Sequence, residues 1–324
     1  MRLSPGRTMV TLDDIRQARE ATRSFIRHTP FDRSFELSRL TGSEVFLKLE
    51  NFQVTGSFKP RGPANKLQSF SADQKRRGAV AATAGNHGLG LSYAGQRLGV
   101  PVHVHIPRSA DADKLERLRQ QETTLHFADS FEEAHFNALR MAESDGLTLV
   151  SAYSDPLVIA SDGVIGLEMS DDQPGLDLVI VPVGGGGLAG GISLALTSLY
   201  PSIEVWGIEA ARSPSFNTWF RAGHTGPVSL EDSIAEGLAG YIEPETLTWP
   251  YIKAHVREMR TVSDEGLVDA MRFMVRHHRM IVEPSGAGAV AAALSAGAEL
   301  RGRRVGLVVP GGNVAWDRFR GLID

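Results

Sequence analysis

The sequence contains no cysteine, and its charges nearly cancel. Without cysteine the chain can form no disulfide, no thiolate zinc or iron–sulfur site and no cysteine nucleophile. The 34 Lys and Arg residues against 38 Asp and Glu residues give a net charge of -4. The excess of basic residues that is typical of proteins binding nucleic acid or anionic membranes is therefore missing. We expect no nucleic-acid partner and no membrane partner.

The sequence also lacks long apolar segments. The longest, such as residues 176–183, are too short to span a bilayer, and the first ten residues lack the apolar run of a signal peptide. With 324 residues, of which 42% are hydrophobic and 22% charged, the chain can bury a full core. These features predict a globular cytoplasmic protein of about two domains.

Strand and helix patterns alternate along most of the chain. Short apolar segments such as 79–83 and 100–107 are typical of buried strands, and they are separated by segments with helical periodicity. This alternation predicts an α/β fold with parallel sheets, in which ligands bind at the carboxyl ends of the strands. The short βα units over 76–149 predict a separate, smaller domain.

The strongest local signal is a run of four glycines directly after an apolar strand. Gly184, Gly185, Gly186 and Gly187 lead into a helix that opens near Leu188. Glycines allow backbone N–H groups to approach an anion closely, and the N-terminus of the helix adds a partial positive charge. A tight turn alone needs fewer glycines. The segment therefore predicts a phosphate-binding loop.

The same segment satisfies a second interpretation. Gly185, Gly187 and Gly190 match the pattern G-x-G-x-x-G, and Glu209 follows about 20 residues later at the end of the next predicted strand. This is the pattern of dinucleotide-binding domains. On this segment alone a nicotinamide cofactor is a reasonable hypothesis. Other parts of the chain must therefore distinguish the dinucleotide-binding interpretation from the phosphate-binding loop.

A lysine lies at an unfavourable position in segment 56–62. Ser57 is a candidate N-cap and predicts that Lys59 lies in the first turn of a helix, where the helix dipole disfavours an ammonium group. That field, together with burial beside Phe58, would lower the pKa of Lys59 and leave an amine able to attack a carbonyl. We expect the neighbouring Arg61 to point into solvent.

Two more loops follow predicted strands. Segment 83–88 has backbone N–H groups that suit a carboxylate, and Asn86 can donate to a phenolate-type oxygen or cap the next helix. Segment 308–313 ends the last strand with Pro-Gly-Gly-Asn. The three loops and Lys59 would meet at one face of a parallel sheet. Pyridoxal phosphate, a phosphate-bearing aldehyde, accounts for all of them, whereas a nicotinamide cofactor leaves Lys59 unexplained.

Taken together, these motifs resemble one enzyme family. They are KLENFQVTGSFKPRG (48–62), TAGNHG (83–88), VPVGGGGLAGG (181–191), AEGLAG (235–240), EPSGAGAVAA (283–292) and PGGN (310–313). In this order they cover nearly the whole chain. The chain resembles the fold type II, tryptophan-synthase-β-like, pyridoxal-phosphate enzymes, and within them the threonine/serine dehydratase and serine racemase group.

The resemblance implies an architecture and a reaction. The fold would consist of two three-layer αβα domains with parallel sheets and the cofactor in the cleft between them. Residues 1–75 and 150–324 would form the larger, discontinuous domain and residues 76–149 the smaller one. The activity would convert a 3-hydroxy amino acid such as L-threonine or L-serine to a 2-oxo acid and ammonia. The family pattern also implies a homodimer.

The resemblance assigns a role to each motif, position by position. Lys59 is expected to form the Schiff base with the cofactor and to remove the α-proton, and Asn86 to face the 3-oxygen of the cofactor. The other residues expected to contact the cofactor are Phe58, Gly184, Gly185, Gly186, Gly187, Leu188 and Pro310. Thr83, Gly85 and His87 fall on the loop that holds the substrate carboxylate in the family, and we expect the same role here.

The sequence departs from the family pattern at several positions. Pro310 stands where the family has a hydroxyl or thiol donor facing the pyridine nitrogen. Ala84 replaces the serine with which the racemases deliver a proton, so elimination is expected rather than racemisation. Ser215 replaces the second carboxylate of the metal site that begins at a residue like Glu209, so no metal is expected. Pro63 predicts a kink in the helix after the lysine.

Other activities remain open at this stage. The resemblance implies a 3-hydroxy amino acid as the substrate, and the 3-hydroxy amino acids of hydroxyectoine breakdown belong to this class. A serine racemase and a β-replacing synthase, as in cysteine synthesis, share the same motifs. Pro310 also leaves open a binding or regulatory protein that keeps the cofactor without turnover.

Overall fold

The computed structural model describes residues 9–83, 85–108, 110 and 112–324. Ala84 lies outside the described residues, so its effect on racemisation stays a prediction. Within the described ranges, no helix combines the length and the apolar character needed to pass through a bilayer.

Strands and helices alternate through most of the described ranges, as the apolar pattern predicts. The strands are β1 (Phe31–Arg33), β2 (Glu44–Leu49), β3 (Ala79–Ala82), β4 (Val102–Pro107), β5 (Thr124–Ala128), β6 (Thr148–Leu149), β7 (Leu178–Pro182), β8 (Glu204–Ala210), β9 (Glu258–Val262) and β10 (Arg304–Val309). The α-helices are α1 (Leu12–Thr22), α2 (Phe35–Thr41), α3 (Arg61–Gln68), α4 (Ala72–Arg77), α5 (Asn86–Leu98), α6 (Ala112–Arg119), α7 (Phe131–Asp145), α8 (Pro156–Asp172), α9 (Gly187–Leu199), α10 (Ser215–Ala222), α11 (Trp249–His255), α12 (Asp264–Phe273), α13 (Gly288–Ala296) and α14 (Trp316–Ile323). Single turns of 3₁₀ helix lie at Glu50–Phe52, Glu236–Leu238, Pro284–Ala287 and Gly297–Leu300, and a π-helical turn, Met274–His278, extends α12.

The larger sheet has six strands in the order β1-β2-β10-β7-β8-β9. Strand β1 pairs with β2 antiparallel, and the other neighbouring strands are parallel. Alternate residues of β7 face opposite cores: Leu178 and Ile180 pack in one with residues of α12 and α13, and Val179 and Val181 pack in the other with residues of α8 and α9. Since side chains alternate along a strand, the buried sheet is covered by helices on both faces.

The smaller sheet has four parallel strands in the order β5-β4-β3-β6. Its faces are also covered separately. Ala79 and Ala81 pack with residues of α5 on one side, while Val80 packs with Ala138 of α7 on the other. A six-stranded sheet that is parallel except at β1 and a four-stranded parallel sheet, each between helical layers, confirm the predicted α/β fold with two domains.

The limits of the smaller domain, 76–149, stay a prediction. All four strands of the smaller sheet fall within them. Three residues outside them, Ala64, Leu67 and Phe70, nevertheless pack into the core of that sheet with residues of α5. Helix α3 therefore contributes to the core of the smaller sheet, although the predicted boundary assigns it to the larger domain.

The helix after the lysine begins later than predicted. Pro60 is the N-cap of α3 and Arg61 its first residue, so Lys59 lies in a loop before the helix and Ser57 is not its cap. Ser57 instead forms an isolated antiparallel bridge with Gly311. The kink predicted at Pro63 stays a prediction. Pro63 is the third helical residue, where a backbone N–H has no intrahelical acceptor to lose.

Candidate active site

The loop that carries Lys59 is hydrogen-bonded to the loop that follows β10. Phe58 N donates to Pro310 O at 3.0 Å, and Gly312 N donates to Gly56 O at 2.9 Å. Strands β2 and β10 run parallel as neighbours, so both loops leave the same edge of the larger sheet. Two of the segments singled out in the sequence therefore meet at the carboxyl ends of the strands.

Asn86, at the start of α5, connects the third loop to the same place. Its Nδ2 donates to Glu283 Oε1 at 2.7 Å, and its Oδ1 accepts from Asn313 Nδ2 at 2.7 Å. The carboxylate can only accept, which fixes the orientation of the amide. Neither Glu283 nor Asn313 received a role from the sequence, although both lie in quoted motifs. They hold Asn86 between the two sheets.

Lys59 is enclosed by groups from several elements. Its Nζ donates to Ala152 O at 2.9 Å and lies 4.7 Å from the centre of the Phe58 ring. The backbone of α5 approaches so closely that a Cβ on Gly90 would lie 2.7 Å from the Lys59 carbonyl carbon. Burial lowers the pKa of Lys59, and the carboxyl groups of Asp162 and Glu283 oppose the shift. The predicted direction is right, but burial is the main cause, since Lys59 is not in a helix.

The four glycines form a tightly packed turn between β7 and α9. Gly186 has φ of +84°, a conformation that favours glycine. A Cβ on Gly184 would lie 2.2 Å from Gly237 O, and one on Gly185 would lie 2.2 Å from the Tyr153 ring. No side chain fits these positions. Helix α9 begins at Gly187, so the N–H groups of its first turn are without intrahelical acceptors and can bind an anion.

The loop predicted to hold a carboxylate has free space on one side. A Cβ on Gly85 would meet nothing within 4 Å, and Gly85 N donates to Thr83 Oγ1 at 3.1 Å. His87 is buried, and its Nε2 lies 2.9 Å from Val150 O. Burial, and secondarily Lys59, lower the pKa of His87 to about 3. The ring is neutral and donates to Val150, so any donor from His87 to a carboxylate is its backbone N–H at the start of α5.

Arg61 contradicts the expectation that it points into solvent. Its side chain is completely buried, donates to Glu50 at 2.8 Å and donates to Glu168 at 2.7 Å. Glu168 also pairs with Lys48 Nζ at 2.7 Å. The positive charges of Lys48 and Arg61 thus balance the negative charges of Glu50 and Glu168 in the interior, next to the loop that carries Lys59. The partners lie 11 and 107 residues from Arg61, so no local pattern marks its burial.

Asp162 of α8 is a further buried acid that the sequence did not single out. Its Oδ2 has no hydrogen-bond partner among the described residues. Burial raises the pKa of Asp162 to about 7, while Lys59 and Arg61 act in the opposite direction. Asp162 therefore belongs to the surroundings of Lys59, with one carboxyl oxygen available.

Glu209 does not have the role that the dinucleotide interpretation requires. Its carboxylate accepts backbone N–H groups of Phe216 at 2.9 Å and Asn217 at 2.6 Å, at the start of α10. Burial raises the pKa of Glu209 to about 8, against the effect of these two hydrogen bonds. Both oxygens are engaged with the helix. In the part of the chain that the structure describes, no three His, Asp or Glu side chains are grouped to hold a metal.

These groups fit pyridoxal phosphate. Lys59 supplies an amine with a lowered pKa, and the glycine turn before α9 supplies backbone donors for a phosphate. The amide of Asn86 is held by Glu283 and Asn313, and the carboxyl group of Glu283 also acts on Lys59. The unpartnered Oδ2 of Asp162 gives the set one more polar atom.

Comparisons with known proteins agree with this chemistry. A family model described as pyridoxal-phosphate dependent enzyme matches residues 22–311. L-threonine ammonia-lyase of Thermotoga maritima is 38% identical over 94% of this chain and 76% of its own length. The beta-hydroxyaspartate dehydratase of Paracoccus denitrificans is 36% identical over 95% of this chain and 98% of its own length. The structure of maize serine racemase aligns with a TM-score of 0.90 and 31% identity, over 96% of both chains.

The family match and the full-length relatives confirm the predicted cofactor over the nicotinamide alternative. They also confirm the family that the motifs indicated. The chain belongs to the family of pyridoxal-phosphate-dependent enzymes, and its cofactor is pyridoxal phosphate.

Proposed function

We propose that this protein is a dehydratase, or ammonia-lyase, that converts a 3-hydroxy amino acid such as L-threonine or L-serine to a 2-oxo acid and ammonia. The observation that carries the proposal is the position of Lys59, a partly buried amine of lowered pKa joined through its loop to the end of β10. Relatives named for such eliminations support it over most of the chain. The cofactor, when bound, stabilises the electron pair left at the α-carbon.

Each residue then has a defined task. Lys59 would hold the cofactor aldehyde through Nζ and, when released, move a proton at the α-carbon. The N–H groups at Gly184, Gly185, Gly186, Gly187 and Leu188 would hold the phosphate, with Phe58 and Pro310 beside the ring. The loop with Thr83, Gly85 and His87 would hold the substrate carboxylate.

Asn86 must change partners to perform its proposed task. Its Nδ2 now donates to Glu283, and the 3-oxygen of the cofactor would take this donor. Pro310 offers no side-chain donor, and its carbonyl accepts from Phe58. This arrangement supports a site in which the pyridine nitrogen has no hydrogen-bonding side chain from position 310.

The first experiment tests the covalent link. The purified protein is incubated with pyridoxal phosphate, its visible spectrum is recorded, and the complex is reduced with borohydride and mapped by peptide. A label at Lys59 is expected. A protein that stays colourless, or a label at another lysine, contradicts the proposal.

The second experiment tests the reaction. We expect 2-oxo acid and ammonia from at least one member of a panel containing L-threonine, L-serine and 3-hydroxyaspartate. Formation of D-serine would instead indicate a racemase, and a sulfide-dependent product would indicate a β-replacing synthase. A loaded protein that releases no product from any of them would favour a binding role.

We also propose that the enzyme acts as a homodimer in the cytoplasm on a small amino acid. The family resemblance supports this assembly. Light scattering of the purified protein tests it: a mass of about twice the 35.0 kDa chain is expected.

A further inference from the structure

Asp162 lies where three parts of the site meet. It is on the face of α8 that packs against the start of α3, because Val158, four residues earlier on the same helix, would be 2.8 Å from a Cβ on Gly62. On its other side, Asp162 Oδ2 would be 3.2 Å from a Cβ on Gly187, the first residue of α9. The carboxyl group therefore stands between the Lys59 segment and the glycine turn.

The groups around Asp162 do not give it a partner for Oδ2. The charged side chains that act on it are Lys59 from the loop before α3, Arg61 from α3 and Glu50 from the 3₁₀ turn after β2. Arg61 is already bound to Glu50 and Glu168, and Lys59 Nζ donates to Ala152 O. Buried polar atoms are normally satisfied, so an open carboxyl oxygen beside an anion-binding turn indicates a missing ligand.

The charge of the expected ligand determines the protonation of this carboxyl. A phosphate held by the first turn of α9 would bring negative charge close to Asp162, and Lys59 would lose its freedom to act as an ammonium partner when it holds the aldehyde. Two like charges at short distance in a buried site favour protonation of the weaker acid. A protonated carboxyl has an O–H donor, which is what a phosphate oxygen accepts.

We propose that Asp162 becomes protonated when the glycine turn holds the cofactor phosphate, and that its Oδ2–H donates a hydrogen bond to that phosphate. This inference rests on the proposed site. It makes Asp162 a cofactor-binding residue that takes up a proton on loading. Because the pKa of Asp162 in the free protein is about 7, the uptake occurs above that pH.

The test measures protons and affinity together. Calorimetry at pH 8 in buffers of different ionisation enthalpy gives the number of protons taken up when pyridoxal phosphate binds. We expect about one more proton in the wild type than in Asp162→Asn. We also expect Asp162→Asn, which keeps a donor, to bind pyridoxal phosphate about tenfold more tightly than the wild type at pH 8 and about equally at pH 6.

Two controls isolate the phosphate and the position. Pyridoxal, which lacks the phosphate, shares the chemistry at the aldehyde and should show no difference in proton uptake between wild type and variant. Asp171→Asn changes an exposed acid on the same helix and should behave like the wild type. The comparison of pyridoxal phosphate with pyridoxal can be made on the wild type alone, so it does not depend on the folding of a variant.

The results separate this inference from the proposed function. If borohydride labels no lysine or a lysine other than Lys59, the proposed function fails. If Lys59 is labelled but the wild type takes up no more protons than Asp162→Asn when pyridoxal phosphate binds, the inference about Asp162 is overturned. Weaker binding by Asp162→Asn at pH 8 would also overturn it, because that result assigns Asp162 to a charged pair with Lys59.

Discussion

Helix α8 carries two buried carboxyl groups that have opposite surroundings. Glu168 accepts from Arg61 at 2.7 Å and from Lys48 at 2.7 Å, whereas Asp162 has an oxygen without a partner among the described residues. Burial by itself would raise both pKa values. The cations reverse the effect for Glu168, whose pKa is lowered, while that of Asp162 rises to about 7.

The difference shows how to separate a structural acid from one that awaits a ligand. Removing one member of a paired, buried ion network leaves a charge without compensation and destabilises the fold. Removing the charge of a buried acid without a partner should raise the free energy of unfolding, because the desolvation of that charge destabilises the folded state. The same helix therefore offers both cases at positions six residues apart, and substitutions at each should have opposite signs.

The largest expected effect concerns Lys59, the amine whose charge acts on Asp162. Lys59→Ala should lower turnover by at least about 10³-fold, since it removes both the covalent link and the proton-transferring group. Turnover of the substrate panel and borohydride labelling provide the measurement. Lys66→Ala, an ion-paired lysine in α3, is the matched control and should retain the label. Full turnover by Lys59→Ala would refute the assignment.

Replacing Arg61 disrupts the buried ion pairs to which Glu168 belongs. Arg61→Ala should lower the free energy of unfolding by about 3–5 kcal/mol, because Glu50 and Glu168 lose a buried partner. Urea unfolding followed by circular dichroism measures the change. Arg19→Ala removes an exposed pair with Asp171 and should cost less than about 1 kcal/mol. Equal costs for the two variants would show that the buried network does not stabilise the fold.

Neutralising Asp162 and Glu168 in separate variants tests the difference between the two acids of α8 directly. In the cofactor-free protein at pH 8, Asp162→Asn should raise the free energy of unfolding by about 2 kcal/mol, and Glu168→Gln should lower it by a similar amount. The sign for Asp162 follows because its pKa is near 7 when folded and about 3.9 when unfolded. The wild type therefore loses stability relative to Asp162→Asn as the pH rises from about 4 to 7. Urea midpoints across this range measure it, and shifts of one sign in both variants would remove the distinction.

The smallest expected effect concerns an acid outside α8. Glu243 accepts from Tyr153 Oη at 2.5 Å, and the Tyr153 ring lies against the glycine turn. Tyr153→Phe keeps the ring and removes this hydrogen bond, so we expect a loss of about 1 kcal/mol in unfolding free energy and an unchanged label at Lys59. Thermal unfolding measures the loss. A lost label would mean that Tyr153 Oη itself is needed for loading.

The features that sequence predicted correctly have local causes. The alternation of apolar segments gives strands and helices in order, and the glycine turn follows from a strand, four residues without side chains and a helix start. Asn86 and Pro310 fall in motifs next to strand ends. Parallel strands then bring these segments to one edge of each sheet, which is why they meet.

The features that sequence missed depend on distant partners. Ser57 pairs with Gly311 near the other end of the chain, and Lys59 lies outside the helix predicted for it. Arg61 is buried because Glu50 and Glu168 meet it in three dimensions. Asp162 gains its surroundings only when α3, α8 and α9 pack together. No periodicity in the sequence carries that information.

The amide of Asn86 has a consequence for motion between the two sheets. It begins α5, which packs on the smaller sheet. It is bonded to Asn313, which follows β10 of the larger sheet, and to Glu283, which directly precedes the 3₁₀ turn Pro284–Ala287. Separation of the sheets must break both contacts. A ligand atom that accepts from Asn86 Nδ2 removes the contact with Glu283 beforehand. Ligand binding at the site and rotation of one sheet against the other are therefore thermodynamically linked.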